Sequence, residues 1–436
     1  MLQVAGLSAV IDRRYSSELN FADSMCKAAK SGFGFGLPIA ASLKFFVRPH
    51  GGDRVERVGI KHTISKAVTG VARMSTYDLI VIGAGPAGCA TAISAARAGA
   101  RVLLLERGRF PRHKVCGEFV SAESLNLLSS LLSPEYRDLV FLAPRIPQGR
   151  IFLDGTEIPV EISPAAASIR RFDLDSALWR SSLAYGIDAR QESPVLGVDG
   201  EGPFTVRTPT VSFDTQAVVN ATGRWSNLNL RNGEQSPTRE RWIGLKAHFS
   251  ELQAASSVDL YFFDGGYCGV QPINGSGSDA VNACAMVRAK VATTLAEVFQ
   301  LHPALLERSR RWQPLTQQVS TSPLIFRDAE PLQGTILQVG DSAAFVDPFV
   351  GDGISLALRS GVLAAECQAP FFRRECSLDE AATQYHRRYA STLSHVFRTS
   401  SLLRRALSWP RAVRKPLLAL FEKAPTLARR LVTLTR

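Results

Sequence analysis

"DLIVIGAGPAG", residues 78–88, decides how the rest of the chain is read. One acid opens it, and the next four residues are all apolar. A short unbroken apolar run of this kind predicts a buried strand. Glycines follow at 83, 85 and 88, the GxGxxG spacing. Alone, that string is weak evidence, so its neighbours matter. "PAGCATAISAARAGA" (86–100) is alanine-rich and predicts a helix closed by Gly99. "RVLLLE" (101–106) predicts a second strand with Glu106 at its end. Strand, glycine turn, helix, strand and acid make a dinucleotide-binding βαβ unit of about 30 residues. Gly83 permits the tight turn, Gly85 lets backbone approach a pyrophosphate, and Gly88 lets the helix pack on the sheet. The helix start offers free N–H groups and partial positive charge to phosphates. Glu106 is placed to accept from ribose hydroxyls and to repel a 2′-phosphate.

That unit does not separate NAD from FAD. "VGDSAAFVDPFVGDGISLAL" (339–358) does. It reads as a strand ending in Gly340-Asp341, a Pro/Gly loop, and a helix from near Ile354. Asp341 is placed to bind a polyol such as ribitol. The helix start would face the pyrimidine edge of a flavin, where charge gathers on reduction. Between the two motifs, residues 150–163 and 203–220 alternate like strands. "WIGLKAHF" (242–249), "VDLYFF" (258–263) and "AVNACAMV" (280–287) predict an antiparallel sheet. "TILQVGD" (335–341) predicts a buried strand and residues 353–369 a helix. From about 378 the pattern is helical to the end.

The expected fold is α/β: a Rossmann-like FAD-binding domain with an inserted antiparallel-sheet substrate domain and a helical C-terminal tail. The expected boundaries are 75–145, 165–236 and 327–375 for FAD, and 146–164 and 237–326 for substrate. Residues 1–74 form an N-terminal extension and 376–436 a basic helical region.

Together these motifs resemble the para-hydroxybenzoate hydroxylase superfamily of FAD enzymes over roughly 76–375, and within it the geranylgeranyl reductase-like branch. "RRFDLDSAL" (170–178) is similar to the Arg-x-x-Leu-Asp-x-x-Leu element of that superfamily. The resemblance puts Arg171 near the flavin nucleotide, against a bland reading on a solvated helix face. "VVNATGRWSN" (218–227) looks like the strand end that abuts the cofactor. Thr222-Gly223 stands where aromatic hydroxylases carry Asp-Gly, and the Trp-x-Trp-x-Ile-Pro string of tryptophan halogenases is absent. Cys116-Gly117-Glu118 matches the CGE/CGG element of the reductase branch. "GGYCGVQPI" (265–273) loosely echoes its aromatic substrate motif. The cofactor set implied is Gly83, Gly85, Pro86, Ala87, Gly88, Glu106, Arg107, Gly117, Arg171, Thr222, Gly223, Asp341, Pro348, Gly351, Gly353 and Ile354.

Composition narrows the partners. Hydrophobic residues are 45% of the chain and charged ones 21%, a globular balance rather than a disordered one. The net charge of +12 suits an anionic lipid, a nucleic acid or an anionic cofactor. Seven cysteines are scattered, with no CxxC pair or Cys/His cluster. No metal site is expected, and free thiols fit a reducing cytoplasm. No apolar run reaches the roughly 18–20 residues that span a bilayer; residues 33–47 are broken by Pro38 and Lys44. Residues 1–73 read apart from the rest. Three readings compete there: an upstream start assigned in error, which we favour, a flexible leader, or a targeting peptide, which Asp12, Glu18 and Asp23 oppose. "GFGFG" (32–36) lacks the preceding strand of a phosphate loop.

In the tail, residues 400–436, leucines interleave with Arg404, Arg405, Arg411, Arg414 and Lys415 around Trp409. It reads either as a membrane-surface helix docking on anionic lipid or as a helical cap with a solvated basic rim. No nucleic-acid recognition motif accompanies it, so no nucleic-acid partner is expected. The expected location is cytoplasmic with peripheral membrane association; oligomeric state is left open.

The catalytic candidates are Cys116 and Tyr267. Cys116, in "KVCGEFVS" (114–121), is either a packing thiol or a thiol near the isoalloxazine or substrate. Tyr261, Phe262, Phe263 and Tyr267 either line an apolar pocket or are ordinary sheet aromatics. His248 reads as a satisfied sheet residue before an acid/base, and Glu118 as an orienting acid or a solvated side chain. Three functions compete. The first is an FAD reductase moving hydride to a C=C bond of a small apolar, isoprenoid-like substrate, recharged by NAD(P)H or another donor. The second is an NAD(P)H-dependent monooxygenase of a phenolic or polyketide-like molecule. The third is a membrane-surface flavoprotein without turnover.

Overall fold

Leu79, Ile80 and Val81 expose no surface, because the strand they form is covered on both faces. Leu79 and Val81 pack into the helix-side core, and Ile80 and Ile82 into a second core with Phe204 and Phe213. This two-sided cover is why the run carries no polar alternation. The computed structural model describes residues 73–224, 228, 241–273, 279–321, 324, 329–345, 351–394, 396–397 and 400. The expectations for the first 72 residues, for Pro348 and for residues 401–436 lie outside the described residues.

In chain order the elements are β1 (Arg73–Ile82), α1 (Pro86–Arg97), β2 (Val102–Leu105), β3 (Phe119–Val120), α2 (Ala122–Leu131), α3 (Asp138–Phe141), β4 (Arg145–Leu153) and β5 (Thr156–Ser168). Next come α4 (Arg171–Ala184), β6 (Asp188–Arg190), β7 (Gly197–Asp199), β8 (Phe204–Arg207), β9 (Ser212–Asn220), β10 (Trp242–Ser250), β11 (Ser257–Phe263), β12 (Gly266–Pro272) and β13 (Ala280–Arg288). The last are α5 (Leu295–Gln300), α6 (Pro303–Ser309), β14 (Val319–Thr321), β15 (Leu332–Gln333), β16 (Ile336–Gln338), α7 (Gly353–Phe372) and α8 (Leu378–Thr392).

The first sheet runs β15–β16–β9–β1–β2–β6, with a β7–β8 ribbon on β9. Its central pairs, β16/β9, β9/β1, β1/β2 and β2/β6, are parallel. Register sets Ile82 beside both Leu105 and Asn220, and Asn220 beside Gln338. Four strands therefore end level and release their loops at one edge, where ligands of doubly wound sheets bind. Helices α1 and α7 pack closely over this sheet. A side chain on Gly361 of α7 would lie 2.3 Å from the Ala87 carbonyl oxygen of α1.

The second sheet runs β14–β10–β13–β12–β11–β4–β5–β3. All its pairs are antiparallel except β11/β4, where Ser257 lies beside Gln148 and Tyr261 beside Phe152. That parallel seam has a topological reason. β4–β5 and β10–β14 leave the first sheet on two separate excursions, and parallel neighbours need such a long return. "GGYCGVQPI" is mostly strand β12, inserted between β11 and β13. No helix among the described residues is long and apolar enough to cross a membrane.

Candidate active site

The four level strand ends open on one cavity of about 790 Å³, at the upper part of the range for ligand pockets. Gly83 follows β1, Glu106 follows β2, Thr222 and Gly223 follow β9, and Asp341 follows β16; all line it. The opposite wall is the segment 113–119 together with Gly244, Tyr267, Cys284 and Met286 of the second sheet.

The three fingerprint glycines divide by what surrounds them. Gly83 has φ +102°, and a Cβ there would sit 2.4 Å from the Ala221 carbonyl oxygen. A Cβ on Gly88 would lie 1.8 Å from the Gly83 carbonyl oxygen. These two serve the packing of turn, helix and sheet. Gly85 has nothing within 4 Å of such a Cβ and lines the cavity, so its bareness serves open space. No side chain caps α1, and Pro86 occupies its first turn. The helix start therefore keeps free N–H groups for an anion.

Glu106 is buried at 4% exposure. Its Oε1 accepts from the Gly108 N–H at 2.8 Å and Arg112 Nη1 at 2.9 Å, and its Oε2 from the Ala84 N–H at 3.0 Å. Burial alone would raise its pKa; Arg112 and the two backbone donors outweigh burial and hold it below the usual carboxylate range. Oε2 retains lone-pair capacity for a further donor.

Five cations line the cavity: Arg107, Arg112, Lys114, Arg171 and Arg224. Three are paired. Arg112 binds Glu106, Arg171 binds Asp175 at 2.7 and 2.8 Å, and Arg224 lies 3.5 Å from Asp341. Arg107 and Lys114 have no acidic partner within ion-pair distance among the described residues. Burial first, then Arg112 and Arg171, lower the Lys114 pKa to about 8. At the strand edge, an unpaired Arg107, an uncapped helix start and an open-faced Gly85 fit a dinucleotide diphosphate, with Lys114 facing them from the opposite wall.

The other sequence-derived candidates fall in the same place. Arg107, Gly117, Gly351, Gly353 and Ile354 line the cavity, as do Pro86 and Ala87. Thr222 Oγ1 donates to Asn220 Oδ1 at 2.6 Å, and the Gly223 N–H donates to Ser342 Oγ at 2.8 Å, tying two strand-end loops together. Arg171 sits in the wall with only 16% of its side chain exposed, so the solvated-face reading does not hold. The salt bridge to Asp175, four residues on, turns it inward against the cost of burial.

Tyr267 is 6% exposed and groups with Met286, Leu324 and Phe345 in an apolar cluster. The other aromatics named with it divide by strand alternation. Phe262 lies on the Tyr267 side, 5.5 Å away between ring centroids. Tyr261 and Phe263 face the opposite core, where Tyr261 stacks on Phe152 at 4.5 Å. Period-two geometry excludes them from the cavity.

Cys116 lines the cavity and also packs against the helix-side core. Its Sγ accepts from the Glu118 N–H at 3.3 Å. Burial pushes the thiol pKa up despite the nearby Arg171 cation, so at neutral pH it is a protonated thiol. Glu118 corrects the solvated reading outright. It has 0% exposure and φ +64°, a left-handed backbone costing a non-glycine residue about 1–3 kcal/mol. Its Oε1 accepts from Lys246 Nζ at 2.5 Å and from the Arg171 N–H at 2.9 Å, and its Oε2 lies 2.9 Å from His248 Nε2. Burial would raise its pKa; His248 and Lys246 more than offset that and keep it below the usual range.

Sequence reasoning missed Lys246, His113, Lys114 and Asn282. A signal existed for the first: Lys246 and His248 are polar residues two apart in the otherwise apolar "WIGLKAHF", and therefore share one face.

Comparison with known proteins agrees with this geometry. A family model described as FAD dependent oxidoreductase matches residues 78–111. A digeranylgeranylglycerophospholipid reductase of Thermoplasma volcanium is 28% identical over 67% of this chain and 78% of its own. A menaquinone reductase of Mycobacterium tuberculosis is 27% identical over 66% of this chain and 76% of its own. Among solved structures, a flavin-dependent brominase superposes with a TM-score of 0.69 at 20% identity, over 83% of this chain and 93% of its own, and so shares the fold. The chain is an FAD-dependent oxidoreductase, similar in sequence to digeranylgeranylglycerophospholipid and menaquinone reductases.

Proposed function

We propose that the chain reduces carbon–carbon double bonds of a polyprenyl lipid. The observation that carries this reading is a single cavity joining a dinucleotide-type strand edge to the apolar cluster of Tyr267, Met286, Leu324 and Phe345. Two relatives support it. Their names specify a digeranylgeranylated glycerophospholipid and menaquinone, which differ in head group and share a polyprenyl chain.

In this reading residues 75–145, 165–236 and 327–375 serve FAD, and residues 146–164 and 237–326 serve substrate. FAD, when bound, supplies the hydride from its N5. Gly83 through Gly88 hold the diphosphate at the start of α1, with Arg107 and Lys114 offsetting its charge. Glu106 accepts from the ribose, Asp341 from the ribityl chain, and Thr222 and Gly223 shape the floor beneath. Gly351, Gly353 and Ile354 at the start of α7 would meet the pyrimidine edge. Arg171 and Gly117 border the ring.

Tyr267 and its apolar neighbours exclude water from the prenyl chain. Cys116, a protonated thiol, gives its Sγ proton to the carbon opposite the one receiving hydride, and solvent returns that proton. An external donor, NAD(P)H or another reductant, recharges the site. The basic tail, residues 376–436, would bring the enzyme to an anionic membrane where such lipids reside.

The test is anaerobic. The purified flavoprotein is reduced, then mixed with a geranylgeranylated lipid, with menaquinol, whose ring is already reduced so that only its prenyl double bonds can take the hydride, or with a saturated lipid of equal length. Oxidised-flavin absorbance should return with the unsaturated lipids and stay absent with the saturated one. Return with none of them sinks the proposal. Cys116→Ser should keep FAD bound and slow that return about 100-fold, in the range of general acid catalysis.

A further inference from the structure

Lys246 and Cys284 are direct partners across strands β10 and β13, and so are His248 and Asn282. Directly paired residues point to the same side of a sheet. Four side chains therefore form one platform, and the segment Cys116–Gly117–Glu118 lies on it. Asn282 Nδ2 donates to the Cys116 carbonyl at 3.1 Å and to the Gly117 carbonyl at 2.9 Å. Lys246 and His248 hold the Glu118 carboxylate at 2.5 and 2.9 Å. From the other side, the Arg171 N–H donates to the same carboxylate, and the Ile169 N–H donates to the Glu118 carbonyl at 2.8 Å. Cys284, the fourth platform residue, lines the cavity beside Cys116.

The arrangement is unusual in its means. Glu118, Lys246 and His248 are 0%, 1% and 3% exposed, so three ionisable side chains are buried at one point. A buried ionic group is weak evidence for stability, since its desolvation often outweighs the attraction. The glutamate also adopts a left-handed backbone that few non-glycine residues occupy. Both costs are incurred at one turn, whose other two residues, Cys116 and Gly117, face the cavity. Asn282 alone would tether the turn; the carboxylate fixes its angle.

We propose that Glu118 is a positioning residue, whose pairing with Lys246 and His248 across the second sheet sets where Cys116 and Gly117 stand in the cavity. The proposal rests on the oxidoreductase reading of that cavity and assigns no proton transfer to Glu118 itself. It predicts that the charge pairing, not folding stability, governs the reaction.

The experiment compares the FAD-loaded wild type with Glu118→Gln and with the double variant Glu118→Gln/Lys246→Met. Glu118→Gln leaves Lys246 charged, buried and unpaired, so its melting temperature should fall. The double variant removes that charge and should recover most of the melting temperature. Three readouts are taken: kcat and KM with geranylgeranyl lipid, flavin content, and the alkylation rate of Cys116 by iodoacetamide, followed by peptide mass spectrometry. The proposal expects normal flavin content in both variants. It expects kcat at least 10-fold down with KM within about two-fold, and Cys116 alkylation altered at least five-fold, even in the double variant. A double variant that regains melting temperature, kcat and the wild-type alkylation rate together overturns it, because Glu118 would then serve stability alone. If the wild type does not act on the lipid, the functional reading fails, and Cys116 alkylation still decides the positioning claim.

Discussion

The two walls of the cavity are built by opposite means. The strand-edge wall is made of backbone: glycines, an uncapped helix start and N–H groups, with a few acids at strand ends. The sheet wall is made of side chains: a buried glutamate, lysine and histidine beneath, and an apolar cluster beside them. A wall of backbone recognises what every dinucleotide shares, its diphosphate and sugars. A wall of side chains can be altered one residue at a time, which suits the recognition of a particular substrate. If that contrast is right, substitutions on the two sides should fail differently.

The largest effect is expected within the fingerprint. Gly88→Val places a side chain against the Gly83 carbonyl, so little folded protein and no bound flavin should be recovered from expression. Gly85→Ala is the counter-case. Residue 85 has φ −74°, which alanine adopts, and the added methyl points into the cavity. Its melting temperature should stay near wild type while FAD affinity drops about 10-fold, roughly 1.4 kcal/mol. Equal loss of folding in both variants would break the division between packing and ligand glycines.

Next in size is the platform. Lys246→Met leaves the buried Glu118 carboxylate with only His248 and the Arg171 N–H as partners, and should cost about 3–5 kcal/mol in urea unfolding at pH 7. The pH dependence has a definite sign. Glu118 has a lowered folded pKa, so its contribution is present above its unfolded pKa and is lost as pH falls through the folded one. The variant's deficit should therefore shrink toward pH 4. A deficit that is constant with pH would mean the loss is packing, not charge.

Asp352, at the start of α7, tests the strand-edge wall in the opposite direction. It is 2% exposed, its Oδ1 accepts from Ser121 at 2.9 Å, and burial raises its pKa to about 6. A raised carboxyl favours the fold below its unfolded pKa, and that advantage is lost as pH rises through about 6. Asp352→Asn keeps the acceptor for Ser121 and should stabilise the protein at pH 8 by up to about 3 kcal/mol. Near pH 3.5 it should make little difference. No gain at pH 8 in thermal unfolding would contradict the assignment.

The smallest effect is a proton count. With its pKa lowered to about 8, Lys114 is largely neutral at pH 9 in the free protein. A bound diphosphate raises that pKa, so FAD binding at pH 9 should take up close to one proton, and at pH 6 none. Calorimetry in buffers of different ionisation enthalpy reads this directly. Lys114→Met should abolish the uptake.

The same contrast explains what the sequence could tell. The strand-edge wall is local: Gly83, Gly85, Gly88 and Glu106 lie within one short stretch, so their spacing together with the flanking strands and helix placed them. Asp341 was legible for the same reason, at the end of an apolar run. The sheet wall is assembled from distant segments. Glu118 meets Lys246 and His248 across 128 and 130 residues, and no local pattern announces that pairing. Glu118 could therefore be read only as an orienting acid or a solvated side chain, with no partner named. Tyr261 and Tyr267 looked equivalent until strand alternation sent them to opposite faces. The parallel seam between β11 and β4 was hidden likewise, because it joins two excursions of the chain.

Product analysis under ¹⁸O₂ tests the central claim most directly. The enzyme, FAD, a reductant and a geranylgeranylated lipid are incubated in air enriched in ¹⁸O₂, and the lipid is examined by mass spectrometry. The reductase account predicts products heavier by two hydrogens for each double bond reduced, with no ¹⁸O. A lipid that retains ¹⁸O with its double bonds intact would show that this cavity inserts oxygen, and would overturn the account.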